Sequence, residues 1–501
     1  MMKHVSGKLE RRILDSASVF FYRERNSQIE ILLAKRKAQL RSFPGLWSGV
    51  GGKVSAEDKN FIDFNADGVS LDVLKACAFR EVVEEIGLVL LQDQIKQMPP
   101  AVEISLQSLE YAPEAYDWQG LLPAGFKVTP EFTIVNPIFK TQYFLYKLNN
   151  GIKLEFPKEH KEFDEWSWRT PQEWIDAFEN QKIRIPPPVL SLLRSFKPNA
   201  TIQEAAALSE LRNTKPIGLQ TQIEMHPGIY GIPLKSQTIL PATTTNCYIL
   251  GDEEHRYIVD PGSHLEAEQK RLQQAIEELV QKESLRGILL THHHRDHWQG
   301  ISTLLKELNI PVMAHQKTKD LLEGETSEFS VEKTLLDGQI LDLGFDVKKR
   351  PWKLEMLFTG GHSRDHVVFL DQRFNALLAG DLVAGVGTVL VEDMGEYINS
   401  LDRLIEKKIG MVLPGHGTIH YEGEKLLKRY KEHRLQRLNL ILEAFAKHKN
   451  TATIEELTEH AYSDVDKEYH DVAKMQVQTY LKYLEDKKEV VKEENKFRKI
   501  D

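Results

Sequence analysis

Two cysteines in 501 residues, Cys77 and Cys247, cannot build a disulfide framework. Such sparing use fits a reducing compartment, and the cytoplasm is the expected location. No apolar run approaches the ~20 residues of a membrane span, so no membrane partner is expected. The opening stretch "MMKHVSGKLERRILDSASVFFY" lacks the apolar core of a signal peptide. A basic excess is missing as well. The formal net charge of −9 argues against bulk attraction to nucleic acid, while leaving room for local patches. Internal repeats and low-complexity tracts are absent. What remains is a chain with 41% apolar residues and ordinary glycine and proline content, which predicts globular cores. At ~150 residues each, its length suggests about three domains.

The first part reads as α/β. "SVFFYRERNSQIEILLAKR" predicts two strands around a polar turn. "FPGLWSGVGGKV" is glycine-rich and predicts loop and turn. "SLDVLKACAFREVVEEIGL" has helical spacing, with Leu71, Leu74, Ala78, Val82 and Ile86 on one stripe. Ser70 is its expected N-cap and Gly87 its stop. Thr170 and Glu173 form a capping box for another helix. "RIPPPVL" marks a break, and residues 201–222 are read as a linker. From "GIYGIPL" onward, strands alternate with helices, which implies layered α/β architecture. After "LPGHG" the pattern is helical, with a second capping box at Thr453 and Glu456. It closes on "EVVKEENKFRKI", a candidate hairpin. Helices followed by a hairpin suggest a small winged-helix domain over 425–501.

Chemistry concentrates in "LLTHHHRDHWQG", residues 289–300. His292, His294, Asp296 and His297 follow H-x-H-x-D-H, and imidazole with carboxylate suits zinc and similar cations. In extended chain His292 and His294 point the same way and His293 points away. Asp296 and His297 can then grip a second ion. Further ligands are available at His362, Asp381 and His416, each after a strand-like run and beside a glycine. Asp365 and His366 are candidates for orienting those ligands. These residues resemble the metallo-β-lactamase superfamily over about 229–417. The resemblance implies an αβ/βα sandwich in 223–424 that holds two zinc ions. His292, His294 and His362 would hold one ion, Asp296, His297 and His416 the other, and Asp381 would bridge them. Asp260 matches the family's early structural aspartate. Asp296 is also expected to take part in catalysis. "THHHRDHWQGI", "LPGHGTIH", "HRLQRLNLILEAF" and the helical tail are similar to the β-lactamase-like-2 family. That similarity implies single-strand endoribonuclease activity and a winged-helix C-terminus; "TGGH" departs from that family's usual "TPGH". The basic run from Lys425 to Lys447 offers Arg429, Arg434 and Arg437 as candidate RNA contacts.

In "REVVEEIGL", Glu81, Glu84 and Glu85 share one helical face. Hard oxygen ligands suit Mg²⁺ or Mn²⁺, and Arg80 can pair with a carboxylate. The pattern resembles the Nudix box, over about 16–193, and implies a diphosphatase domain within 10–200 with an α/β/α fold. Glu84 and Glu85 would then be catalytic. Gly51-x5-Glu57 fits the first half of the box, with a 15-residue insertion before Arg80 that leaves the role of Glu57 open. The spacing of Arg36, Arg41, Gly51 and Gly52 in "LLAKRKAQLRSFPGLWSGVGG" resembles the coenzyme A diphosphatase signature. "WSGVGGKV" equally resembles nucleotide-cleaning Nudix enzymes, so the substrate is a nucleotide- or coenzyme A-type molecule. The overall expectation is a bifunctional metal-dependent hydrolase. Two alternatives stand beside it: a glyoxalase II-type thioesterase with a Nudix domain, and a Nudix domain that senses a nucleotide without cutting it. Neither substrate nor oligomeric state is legible.

Overall fold

The structure is a computed structural model that describes residues 13–40, 43–62, 69–99, 105–129, 138–149, 151–152, 154, 162–180, 182–211, 223–385 and 387–500. The chain divides into two compact units, one within Glu10–Gln220 and one within Thr221–Asp501.

In the first unit, strands Ile13–Arg25 and Gln28–Arg36 form a hairpin. Asn26 and Ser27 both have positive φ, the twist that matches a two-residue hairpin turn. Ile13–Arg25 also pairs in parallel with Ile138–Lys147, and the sheet has seven strands. Alternation sorts its side chains. Val19 and Phe21 pack under the helix Leu71–Ile86, while Phe20 faces the opposite layer with Trp174, Leu190 and Ala206.

Three local expectations change here. "FPGLWSGVGGKV" contains strands Trp47–Ser48 and Val50–Lys53, and the second pairs with Ser16–Val19. A side chain at Gly52 would meet the Glu81 carboxylate at 2.3 Å, so the missing Cβ is what lets the strand close on the glutamate helix. The three prolines do not merely break the chain, because Pro187 opens the helix Pro187–Leu193 from its first turn. Part of the 201–222 linker is the helix Ile202–Leu211, whose Ala205 and Ala206 are buried. Small apolar side chains let it lie close to the sheet; residues 212–222 lie outside the described residues. The helix Leu71–Ile86 begins at Ser70, whose hydroxyl accepts from Val73 N, and ends at left-handed Gly87. It is buried nearly all round, but Leu71 on the expected apolar stripe is exposed.

The second unit stacks two sheets. Seven strands from Ile223–His226 to Lys333–Leu335 pair in chain order, and five more run from Ile340–Phe345 to Met411–Pro414. Leu250, Val259 and Leu289 meet Leu354, Met356 and Phe369 between the sheets. Ile288 and Leu290 point outward onto the helix Glu266–Leu279, and Val368 and Leu377 pack on Met394–Glu406 and Gly423–Lys447. The result is a helix–sheet–sheet–helix sandwich. The tail continues as strand Thr451–Ala452, helices Ile454–Ala461 and His470–Asp486, and hairpin Val490–Glu493/Lys496–Lys499. Its Phe445, Val477 and Tyr480 share one core with Leu401 and Val412, so the tail is built into this unit.

Candidate functional site

In the second unit the candidate ligands stand just past strand ends. His292 and His294 follow Leu285–Leu289, His362 follows Pro351–Phe358, Asp381 follows Ala376–Gly380 and His416 follows Met411–Pro414. The fold brings them together in two groups, His292, His294, His362 and Asp381 in one, and Asp296, His297 and His416 in the other. Within each group the ligand atoms lie within 4.8 Å of one another. In the first group His292 Nε2 and His362 Nε2 approach His294 Nδ1 at 2.9 and 3.1 Å. Asp381 joins the two groups. Its Oδ1 is 3.4 Å from His297 Nε2 and 3.2 Å from His416 Nε2, and its Oδ2 is 3.8 Å from His362 Nε2. Asp296 Oδ2 lies 3.4 Å from His416 Nε2.

Outer hydrogen bonds fix which nitrogen faces inward. His362 Nδ1 donates to Leu390 O at 2.8 Å and His416 Nδ1 donates to Thr244 O at 2.8 Å. Asp260 accepts from Thr291 N, from the Thr291 hydroxyl and from His297 Nδ1. The Thr291 hydroxyl spends its proton on Asp260 and so accepts from His292 Nδ1 at 2.9 Å. Four imidazoles thereby turn Nε2 toward the centre, the arrangement expected of metal-ligating histidines. Sequence reasoning singled out Asp260 and missed Thr291; the carbonyls of Leu390 and Thr244 carry no side-chain signal at all. His366 accepts from Asp381 N at 3.1 Å, and His293 turns out to Asp365 at 2.9 Å.

Charge and burial bear on what fits there. Burial holds His292 well below the ordinary imidazole range, and burial with the neighbouring His362 lowers His294 to about 4. Burial works against protonation of His416, but Asp381 and Asp296 outweigh it and raise it to about 10. His297 is raised by Asp381 and Asp260 in the same way, against its burial. His297 Nε2 and Asp381 Oδ1 are buried without a hydrogen-bond partner. A Cβ at Gly415 would lie 2.7 Å from Asp381 Oδ1 and 2.9 Å from His297 Cε1, so only glycine leaves the centre open. Inward-facing imidazole nitrogens, buried atoms that make no hydrogen bond and two carboxylates fit divalent cations of the zinc type.

The first unit treats its carboxylates differently. Arg80 donates to Asp58 through Nε at 2.8 Å and Nη2 at 3.1 Å. Its Nη1 lies 2.9 Å from Glu81 and 3.0 Å from Glu84, and Nη2 reaches Lys53 O. The helix starting at Ser55 leaves Glu57 exposed and buries Asp58. The acidic partner of Arg80 from this segment is therefore Asp58, six residues after Gly52, and Glu57, whose role the sequence left open, makes no such pair. Glu85 accepts from Gly51 N at 2.8 Å. Burial, aided by Glu84 and opposed by Arg80, lifts Glu81 to about 7, and burial with Glu81 pushes Glu85 well up. Arg36 pairs with Glu162 at 2.9 Å, a partner the sequence did not reveal. Arg41 lies outside the described residues.

The expected RNA contacts are corrected in part. Arg429 is exposed on Gly423–Lys447, but Arg434 is only 3% and Arg437 8% exposed. Arg434 donates to Val389 O at 2.5 Å, and Arg437 pairs with Asp464 at 2.7 and 2.9 Å. Both are internal because they lie on the helix face that meets the sandwich and the following helices.

Residues 240–416 match the family model described as the metallo-beta-lactamase superfamily. The Beta-lactamase-like protein 2 homolog of Caenorhabditis elegans is 29% identical over 225 residues, 44% of this chain and 71% of that protein. The Drosophila melanogaster homolog of the same name is 30% identical over 222 residues, 41% of this chain and 70% of that protein. Among solved structures, a metallo-beta-lactamase family protein from Thermus thermophilus matches at 22% identity with a TM-score of 0.42, covering 55% of this chain and 99% of that one. A NUDIX hydrolase from Alicyclobacillus acidocaldarius matches at 20% identity with a TM-score of 0.34, covering 40% of this chain and 96% of that one. With a relative 30% identical across 70% of its length and the family pattern spanning the histidine cluster, the chain belongs to the metallo-beta-lactamase superfamily.

Proposed function

We propose that the second unit is a dinuclear zinc hydrolase that cleaves single-stranded RNA. The observation that carries the reading is the convergence of seven His and Asp side chains with Asp381 between the two groups. Held by His292, His294, His362 and Asp381 on one side and Asp296, His297 and His416 on the other, divalent ions would supply Lewis acidity for activating water and stabilising charge. The chain's own residues set that up. Asp260, Thr291 and two main-chain carbonyls keep imidazole protons on the outside, and Gly415 keeps the centre open.

The choice of RNA draws on the tail. Its order of helix, strand, helix, helix and hairpin supports reading it as a winged helix, and the relatives named above carry the β-lactamase-like-2 name. Exposed Arg429 and the hairpin's Lys492 and Lys496 are the revised candidates for phosphate contacts.

For the first unit, the reading is a Nudix diphosphatase that uses Mg²⁺ or Mn²⁺ on Glu81, Glu84 and Glu85 and acts on a nucleotide- or coenzyme A-type substrate. Its support is the three carboxylates clustered about Arg80 and Gly51.

The test is one panel on the full chain: labelled single-stranded RNA, acyl thioesters and nucleoside diphosphate conjugates, with zinc and Mg²⁺ varied. RNA cleavage is expected from wild type and not from His294→Ala. Turnover of thioesters with RNA untouched at low salt replaces the nuclease reading with a glyoxalase II-type one. Diphosphate cleavage is expected to vanish in Glu84→Gln and Glu85→Gln while RNA cleavage stays. Binding of nucleotides without cleavage would leave the first unit a sensor.

A further inference from the structure

The tail reaches the histidine centre through one peptide group. His362 Nδ1 donates to the carbonyl of Leu390 at 2.8 Å. That carbonyl shares a planar amide with Val391 N–H, so holding one end aims the other. Val391 N donates to Gln476 Oε1 at 3.1 Å. Val391 O in turn accepts from Gln476 Nε2 at 3.2 Å, and the Thr479 hydroxyl shares its one proton between Val391 O at 3.1 Å and Met475 O at 3.2 Å. On the other side of Leu390, Val389 O accepts from Arg434 Nη2 at 2.5 Å, and Thr388 Oγ1 lies 3.2 Å from the same nitrogen. The strap then closes on the ligand's own loop, because Glu392 N and Asp393 N both donate to Gly361 O, beside His362.

Gln476 and Thr479 lie on the helix His470–Asp486, and Arg434 lies on Gly423–Lys447. Gln476 and Arg434 are both buried. A buried amide that makes both of its bonds to one residue's main chain does for that strap what a neighbouring strand does for a sheet edge. It satisfies the N–H and C=O and removes the freedom of the peptide plane to rotate.

From this we infer that Gln476, Thr479 and Arg434 are positioning residues for His362, and that the C-terminal helices thereby tune the affinity of the three-histidine metal position. Loosening the clamp frees the Leu390 carbonyl to turn away, and the His362 ring loses the bond that keeps Nε2 pointed at His294. The second position, held by Asp296, His297 and His416, draws its outer bonds from Asp260 and Thr244 and is untouched by the strap. The inference rests on the metal-centre reading above.

The test uses the full chain with Thr479→Val, Thr479→Ser and Gln476→Leu. Zinc affinities are read by competition with a chromophoric chelator, the two positions are separated by cadmium-113 resonances, and melting temperature is followed in parallel. Wild-type protein that binds no transition metal refutes the metal reading itself. If wild type binds, Gln476→Leu is expected to weaken one position roughly 10–100-fold, the range for outer partners of ligating histidines, and to shift one cadmium signal. Thr479→Val should do the same more weakly, and Thr479→Ser, which keeps the hydroxyl, should restore wild-type binding. Thr479 is only partly buried, so its variants decide the matter should Gln476→Leu fail to fold. Wild-type affinity at both positions in Thr479→Val overturns the inference, as does equal weakening of both positions in step with a falling melting temperature.

Discussion

In the first unit Arg80 stands among Asp58, Glu81 and Glu84, and a guanidinium fixed in the chain supplies the positive charge. In the second unit the carboxylates Asp296 and Asp381 meet imidazoles instead, and they favour the protonated forms of His297 and His416. A built-in arginine cannot leave, so the first cluster is folded around its own counterion. A histidine can give up its proton to make room for an ion. The second cluster is therefore a site whose charge is exchangeable, and its outward Nδ1 bonds leave Nε2 ready for the exchange. Clustered carboxylates alone do not tell these cases apart. The identity of the cation that meets them does.

The strongest way to break the comparison is to remove the residue that joins the two histidine groups. Asp381→Ala should abolish hydrolysis by the second unit and leave at most one ion bound, read by elemental analysis, while activity of the first unit is unchanged. Next comes the built-in counterion. Arg80→Met should destabilise the first unit by about 3–5 kcal/mol, because it strands the buried Asp58 and Glu81, and calorimetry should show one transition falling while the other holds. Asp260→Asn should be milder. Its amide keeps one acceptor oxygen where three donors converge, so the hold on His297 and Thr291 loosens, and zinc binding should weaken roughly 10–100-fold with the fold retained.

The smallest effect is a pH dependence in the first unit. Burial lifts Glu81 to about 7, above its unfolded value of about 4.3. The fold thus favours the protonated acid, and this contribution is present at low pH and lost as pH rises through about 7. Without divalent cations the first unit's melting temperature should fall across that window, and Mg²⁺ should reverse part of the loss. A flat profile would remove the acid cluster from consideration as a cation site.

The candidate ligands that the fold gathers were legible because H-x-H-x-D-H puts four of them in six residues, and the remaining three stand at strand ends beside glycines. What orients those ligands was far less visible. Thr291 offered no pattern beyond its place next to His292, and main-chain acceptors such as Leu390 O have no residue type to read. Arg434 and Arg437 looked like a basic face because composition counts charge without direction. Long side chains can turn inward when carbonyls and Asp464 wait for them. Asp58 was overshadowed by Glu57 because a one-residue register depends on where the helix starts, and Ser55 sets that start through its cap. The strand at Val50–Lys53 was hidden by its glycines. Their lack of side chains, which signals a loop in isolation, is what allows close packing against Ala17 and Glu81. The helix Ile202–Leu211 was lost in a polar stretch because alanines carry its buried face.

The central claim, that the second unit is organised around two exchangeable metal ions, is tested most directly by zinc titration of the full chain after chelator treatment. Released protons are counted alongside. The account predicts two ions bound per chain with protons released on binding, as His297 and His416 surrender theirs, and at most one ion in His294→Ala. Binding of no zinc by wild type, or undiminished binding by His294→Ala, would contradict it.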